Sequence, residues 1–279
     1  MKLHYWPQAP NFGDQLNPWL WSKLLPGYFD NSDDKLFVGI GTLLNSELDK
    51  HQDKTKIVFG SGVGYGNSIP RVDDKWKFYF VRGPLSAKAL DIDPKLALTD
   101  AAILTKLVLT TTPEKKYQFG FCPHWETRSK ALENLCTELG ILYVDPFSSV
   151  DAVLEKIGSV ETLITEAMHG AIFADFLRVP WVPVYSGSNI LQFKWQDWCQ
   201  SVQVEYRPQH VSLPYDRPLH QLEFVLKIHS RIKRKLSSRA LKKLTVNAKP
   251  MLSSNRVFEG LLERAQEKLE AFKTDFKAS

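Results

Sequence analysis

Leu163-Ile164-Thr165-Glu166-Ala167-Met168-His169-Gly170-Ala171-Ile172-Phe173-Ala174-Asp175-Phe176-Leu177 is the stretch whose reading decides the fold. It opens on a short apolar run that reads as a buried strand over 163–165, crosses a polar cluster, and continues as an apolar segment of helix length over 169–177. A strand that passes directly into a helix is half of a βαβ unit, and ligands of such units gather in the loops beyond the strand ends. A helix N-terminus favours anions, and a histidine there can donate to phosphate or carry a proton. A lone histidine would read as a structural hydrogen-bonder. His169 beside Glu166 at a strand-to-helix turn reads as a functional pair.

The same alternation extends in both directions. Strands are predicted at 3–6, 36–40, 57–60 and 78–81, with helices at 15–25 and 85–90, and a second set has strands at 117–122, 142–144, 163–165 and 182–185, with helices at 127–139, 150–157 and 169–177. Alternating strands and helices predict parallel sheets and an α/β class. Thr110-Thr111-Thr112-Pro113 reads as a linker between two sub-domains, 1–112 and 113–215. Beyond Pro218 the pattern is helical only. Val225, Ile228, Ile232, Leu236, Ala240, Leu241 and Leu244 recur near helical spacing, and 256–276 is a charged amphipathic helix, so 216–279 is expected to be a basic helical tail.

Bulk composition narrows the classes. The 279 residues are 43% hydrophobic and 24% charged, an ordinary globular balance. The longest apolar candidate, 101–109, is short and broken by Lys106, so no membrane-spanning helix is expected, and residues 1–10 lack the unbroken apolar core of a signal peptide. A cytoplasmic protein is the expectation. Cys122, Cys136 and Cys199 lack CxxC spacing and read as reduced, mostly buried thiols. The formal charge of +5 is concentrated: nine Lys or Arg and no acid fall between Lys227 and Lys249, and acids outnumber bases in the remainder. Two readings of 225–249 stand side by side, a peripheral contact with an anionic inner-membrane surface and a solvated helix packed back on the first domain. No nucleic-acid motif accompanies the charge.

Four further loops can carry chemistry. Asn11-Phe12-Gly13-Asp14 is an N-cap with a tight turn, or a place where backbone amides and a short carboxylate face a cleft. Gly60-Ser61-Gly62-Val63-Gly64-Tyr65-Gly66 departs from dinucleotide and P-loop patterns; its glycines either admit an anion to the backbone or form a flexible turn. In Val81-Arg82-Gly83-Pro84-Leu85-Ser86 an arginine leaves a buried strand and needs an anion, either a ligand or an internal carboxylate such as Asp100. Cys122-Pro123-His124-Trp125 adds a second histidine and a tryptophan that is a sugar platform or simple packing.

Taken in order, Asn11-Phe12-Gly13-Asp14, Val81-Arg82-Gly83-Pro84 and Glu166-Ala167-Met168-His169-Gly170-Ala171-Ile172 resemble the polysaccharide pyruvyl transferase family over about residues 1–200. Gly39-Ile40-Gly41-Thr42, Gly60-Ser61-Gly62 and Arg178-Val179-Pro180-Trp181 liken the chain to the short exopolysaccharide-type members. The resemblance implies two Rossmann-like parallel-sheet halves arranged as in GT-B glycosyltransferases, with a C-terminal helical extension. It implies transfer of the pyruvyl group from phosphoenolpyruvate, as co-substrate, to a saccharide acceptor or its lipid-linked precursor as a ketal, with no metal and no other cofactor. It places the catalytic positions on Asp14, Arg82 as the donor-binding arginine, and His169, with Glu166 beside it. Asn11, Gly13, Ser61, Gly62, His124 and Gly170 are the substrate-binding positions, and Lys194 stands nearest to a further basic position where relatives carry arginine. These loops are expected to converge on one electropositive pocket. The competing activity is a GT-B-type glycosyltransferase using a nucleotide sugar, since fold does not fix function.

Overall fold

The computed structural model describes residues 1–276 except 8–9, 31, 33, 66–67, 112, 188–189 and 215–222. The chain forms two compact units, one of Met1–Thr111, Leu191–Tyr206 and Ser253–Ser279, the other of Thr112–Ile190 and Arg207–Leu252.

The first unit is built on strands β1 (Lys2–His4), β2 (Lys35–Val38), β3 (Thr55–Phe59) and β4 (Trp76–Phe80), all parallel and side by side in chain order. Parallel strands buried on both faces need apolar cover on both. One face carries an aromatic cluster in which Trp21 of α1 (Phe12–Leu24) packs edge-on against Phe37 and Phe59 at 4.8 and 5.4 Å. The other holds Leu36, Val38, Val58 and Val81 with Ala87 of α2 (Pro84–Ala89). Asn17 is buried in α1 because its amide bridges to the backbone of Ile40 in both directions, at 2.9 Å each, which fixes the turn after β2.

The second unit has β5 (Tyr117–Cys122), β6 (Leu142–Tyr143), β7 (Val160–Thr165), β8 (Trp181–Tyr185) and β9 (Gln209–His210), again all parallel, in the order β6-β5-β7-β8-β9. Its helices are α3 (Lys130–Glu138), α4 (Val150–Gly158) and α5 (Met168–Phe176). Ser129 and Ser149 cap α3 and α4 by accepting from Leu132 and Ala152. The Ser129 cap explains why the predicted helix over 127–139 begins later, after a separate turn at Trp125–Thr127. β7 starts three residues before its apolar run because it takes in the exposed Glu161.

The parallel α/β class and the C-terminal helices agree with the sequence reading; the partition of the chain differs from it. Among the described residues three helices follow β8: α6 (Gln192–Ser201), α7 (Glu223–Asn247) and α8 (Asn255–Asp275). α6 and α8 belong to the first unit, whereas α7 places Leu241 and Leu244 in the core of the second. In α8, Phe272 meets Phe37 and Tyr79 at 5.3 and 5.5 Å, and Asp275 pairs with Lys77 at 2.6 Å. An apolar stripe at helical spacing shows that a helix is covered, but not by which sheet, so 113–215 and 216–279 read as continuous blocks along the sequence. Pro218 and Gly66 lie outside the described residues, as do the side chains of Val225, Lys227, Ile228 and Arg231. All three cysteines are free and buried. No helix among the described residues is long and apolar enough to cross a membrane.

Candidate active site

In the first unit the loops beyond the strand ends bring Asn11, Asp14, Tyr65 and Lys194 together. Asn11 caps α1, accepting from the Asp14 amide at 3.1 Å, and its side-chain amide donates back to the Asp14 carboxylate. Burial pushes the Asp14 carboxyl up to about 6, against the pull of the Asn11 hydrogen bond and the positive charge of Lys194. Lys194, on α6, is 8% exposed; its ammonium donates to the Tyr65 hydroxyl and lies 4.7 Å from that ring's centroid. The result is a carboxyl that changes charge near neutral pH beside a confined cation.

Arg82 is elsewhere in the same unit and is fully buried. Its fork is spent on the protein: Nε donates to Asp197 at 3.0 Å, one terminal nitrogen to Thr42 at 2.8 Å and the other to the Val63 carbonyl at 2.8 Å. Asp197, also on α6 and fully buried, accepts in addition from the Ser86 amide at 2.9 Å and the Ser86 hydroxyl at 2.5 Å. A Cβ on Gly62 would sit 2.3 Å from the guanidinium carbon, and one on Gly83 would sit 2.2 Å from the Asp197 carbonyl. The segment from Val81 to Ser86 is therefore a socket for Asp197. The arginine does have an internal carboxylate: Asp197 pairs with it directly, while Asp100, which caps the turn at Ala102, feels its charge. In this arrangement Arg82, expected as a donor clamp, and Gly62, expected as a substrate contact, lie against each other and are turned inward. Ser61 is likewise fully buried and holds the loop at Gly41 and Leu43 at 3.0 and 3.2 Å. Gly13 is buried within α1.

In the second unit the chain enters at β5, adds β6 on one side and β7 on the other. The crevice beyond the ends of β5 and β7 is thus a topological switch point, the place where α/β sheets bind ligands. His124 follows β5; Glu166 and His169 follow β7. Glu166 is 1% exposed and accepts from the Thr127 hydroxyl and, at 3.4 Å, from the His124 amide; Ser186 adds its hydroxyl and amide. Burial nonetheless raises the Glu166 carboxyl above its ordinary value. His124 caps the turn at Trp125–Thr127 and faces Glu126 at 3.6 Å. His169 is half-buried in the first turn of α5, a helix whose first residues carry no side-chain cap and no acid. Gly170 lets that turn close on the sheet: a Cβ there would lie 2.6 Å from Thr165 Oγ1 and 3.4 Å from the Cys122 sulfur.

Over residues 4–188 the sequence matches the polysaccharide pyruvyl transferase family. The chain belongs to that family. It is 42% identical over 220 residues to the succinoglycan biosynthesis protein ExoV of Rhizobium meliloti (strain 1021), covering 76% of this chain and 68% of that one. An uncharacterized protein of Acanthamoeba polyphaga mimivirus is 23% identical over 198 residues, 64% of this chain and 66% of its own. Among solved structures, the wall teichoic acid polymerase TagF is similar over 86% of this chain and 73% of its own, at 13% identity and a TM-score of 0.33, a level that carries no argument about the fold.

In this member of the polysaccharide pyruvyl transferase family, Asn11, Asp14 and Lys194 form one cluster and His124 and Glu166 another, with His169 and Gly170 in the helix turn that follows Glu166. The sequence reading missed the partners that hold these groups. Asp197 had one available signal, its place three residues beyond Lys194 on a helix, which puts both on neighbouring positions of one face. Thr127 and Ser186 had none, being ordinary hydroxyls until the strand ends bring them to Glu166.

Proposed function

We propose that the chain transfers the pyruvyl group of phosphoenolpyruvate to two hydroxyls of a saccharide, forming a cyclic ketal. The observation that carries the reading is the turn at the switch point of the second unit, where His169 lies in the first turn of an uncapped helix, three residues after the buried Glu166. The family supports a transferase acting on polysaccharide, and the likeness to a succinoglycan biosynthesis protein supports an exopolysaccharide as its product; a lipid-linked precursor as acceptor and the cytoplasm as the place of reaction are part of the proposal.

The chemistry needs a proton at the methylene carbon of the donor, which gives C2 oxocarbenium character. One saccharide oxygen then bonds to C2, the bond from C2 to the phosphate oxygen breaks, and the second oxygen closes the ring. One hydroxyl proton balances the proton placed on the methyl group and the other leaves with phosphate, so no oxidant or reductant enters. His169 and the first amides of α5 hold the phosphate, and the imidazole supplies the proton. Glu166 keeps the loop in order and shuttles a proton through its raised carboxyl. Asp14 accepts a hydroxyl proton, with Lys194 keeping it sufficiently ionised to do so. Arg82 acts through Asp197 as a positioning residue for α6 and so for Lys194.

Incubation of the full chain with phosphoenolpyruvate and a panel of galactosides and mannosides is expected to release phosphate and yield a product whose mass has gained a pyruvate ketal. Turnover of a UDP- or GDP-sugar with no reaction of phosphoenolpyruvate would refute the proposal. Dialysis against a chelator is expected to leave turnover unchanged.

A further inference from the structure

α7 has two unlike faces. On one, Ser237 and Leu241 are fully buried and Leu244 nearly so, and the two leucines join Phe121, Ile164 and Val184 in the core of the second unit. On the other, Ile232 and Leu236 stand one turn apart with Val246 beyond them, exposed to 56, 49 and 79%. Between these aliphatic side chains lie Lys235, Arg239, Lys242 and Lys243, all exposed. Arg234, at the margin of the packed face, pairs with Glu138. The sequence has no acid from Phe224 to Phe258, so nothing on α7 beyond its first residue neutralises the outer face.

We propose that this outer face docks on an anionic phospholipid surface. Packing of the inner face already secures the helix, so the outward aliphatics are not needed for the fold. Bases alone would suit any polyanion, whereas large aliphatics set among bases suit a surface that is anionic at its headgroups and apolar just beneath. Nucleic acid fits less well, because among the described residues the outer positions offer no aromatic ring for a base to stack on. A second copy would bring two basic faces together, which like-charge repulsion opposes.

The test uses the full chain and vesicles, with no substrate, so its outcome is independent of the proposed transferase activity. Sedimentation with phosphatidylglycerol-containing vesicles is expected at low salt, with retention falling at high salt, and little sedimentation with pure phosphatidylcholine. Each outer base brought to such a surface strengthens partition on the order of fivefold, so Lys235→Gln, Arg239→Gln and Lys243→Gln together are expected to weaken it on the order of 10²-fold. Ile232→Ser with Leu236→Ser is expected to weaken it as well, without shifting the thermal midpoint, since both side chains point outward. Equal partition into both vesicle types, or none into either, overturns the proposal with the unaltered protein alone. Binding that follows charge but ignores the two serine substitutions overturns it in favour of a soluble polyanion. Self-association abolished by those substitutions, with vesicles ignored, overturns it in favour of a second copy.

Discussion

Asp197→Ala tests whether the segment around Arg82 is a socket and not a ligand site. The substitution strands a guanidinium with 0% exposure, whose Nε had a carboxylate at 3.0 Å, and takes the acceptor from both Ser86 donors. Removing one member of a buried pair costs roughly 3–5 kcal/mol, because the survivor stays charged and unsolvated. Against a domain stability of about 5–15 kcal/mol this is roughly a fifth or more of what holds the first unit together. With about 2–4 °C lost per kcal/mol in a domain of this class, the unfolding midpoint should fall by about 10 °C. Calorimetry with tryptophan fluorescence reads it well, because Trp195 and Trp198 are buried on the same helix as Asp197. Arg82→Met combined with Asp197→Leu removes both charges at similar volume and is expected to recover most of the loss. A single-substitution cost below about 1 kcal/mol, or a double variant as damaged as the two singles added, would refute the socket.

Four other outcomes follow from the same geometry. For Asp14, the folded value of about 6 lies above the ordinary 3.8, so the folded state holds a proton the unfolded state has released; its contribution to stability is lost as pH rises through that window, and Asp14→Asn should gain on the natural protein between about pH 4 and 6 in denaturant titrations, then stay level. Lys194→Met removes a charge that lowers the Asp14 carboxyl, so the acid limb of the pH–rate profile should move to higher pH; an unmoved limb would break the link between the two residues. Gly170→Ala is expected to cut turnover on the order of 10²-fold with little change in thermal midpoint, because the Cβ at 2.6 Å from Thr165 Oγ1 shifts the start of α5 while alanine suits a helix. Arg82→Lys keeps the charge and loses the fork, so it should disturb the acid limb through α6; a rise confined to the KM for phosphoenolpyruvate would return the arginine to the donor site.

Much of the sheet architecture was legible because parallel strands buried on both faces leave nearly continuous apolar runs, as at Trp181–Tyr185; at Tyr117–Cys122 the predicted and observed bounds coincide although only the second half of the strand is buried. The strand-end loops were legible for the same reason, since polar clusters after apolar runs stand out. What the sequence hid is long-range. Phe272 reads as one more apolar position of a charged helix until the structure sets it against Phe37, Phe59 and Tyr79. Gly62 reads as freedom to approach an anion, yet the anion-binding group that lies against it is the protein's own arginine.

That last point separates two motifs that look alike as strings. Val81-Arg82-Gly83-Pro84 and Glu166-Ala167-Met168-His169-Gly170 each follow a parallel strand, carry a basic side chain and open a helix. The first unit winds in one direction through its four strands, so no strand order reverses beneath Arg82, and the arginine's demand for an anion is met by Asp197 while its two terminal nitrogens each donate to Thr42 or Val63. The second unit reverses at β5, which opens a crevice where the cap of α5 is not a side chain and the nearest acid is held by hydroxyls and amides instead of by a cation. A site that must receive an anion needs donors aimed outward, and the two motifs differ there: the guanidinium of Arg82 is wholly buried against Asp197, Thr42 and Val63, whereas α5 starts with no side-chain cap and with His169 only half-buried.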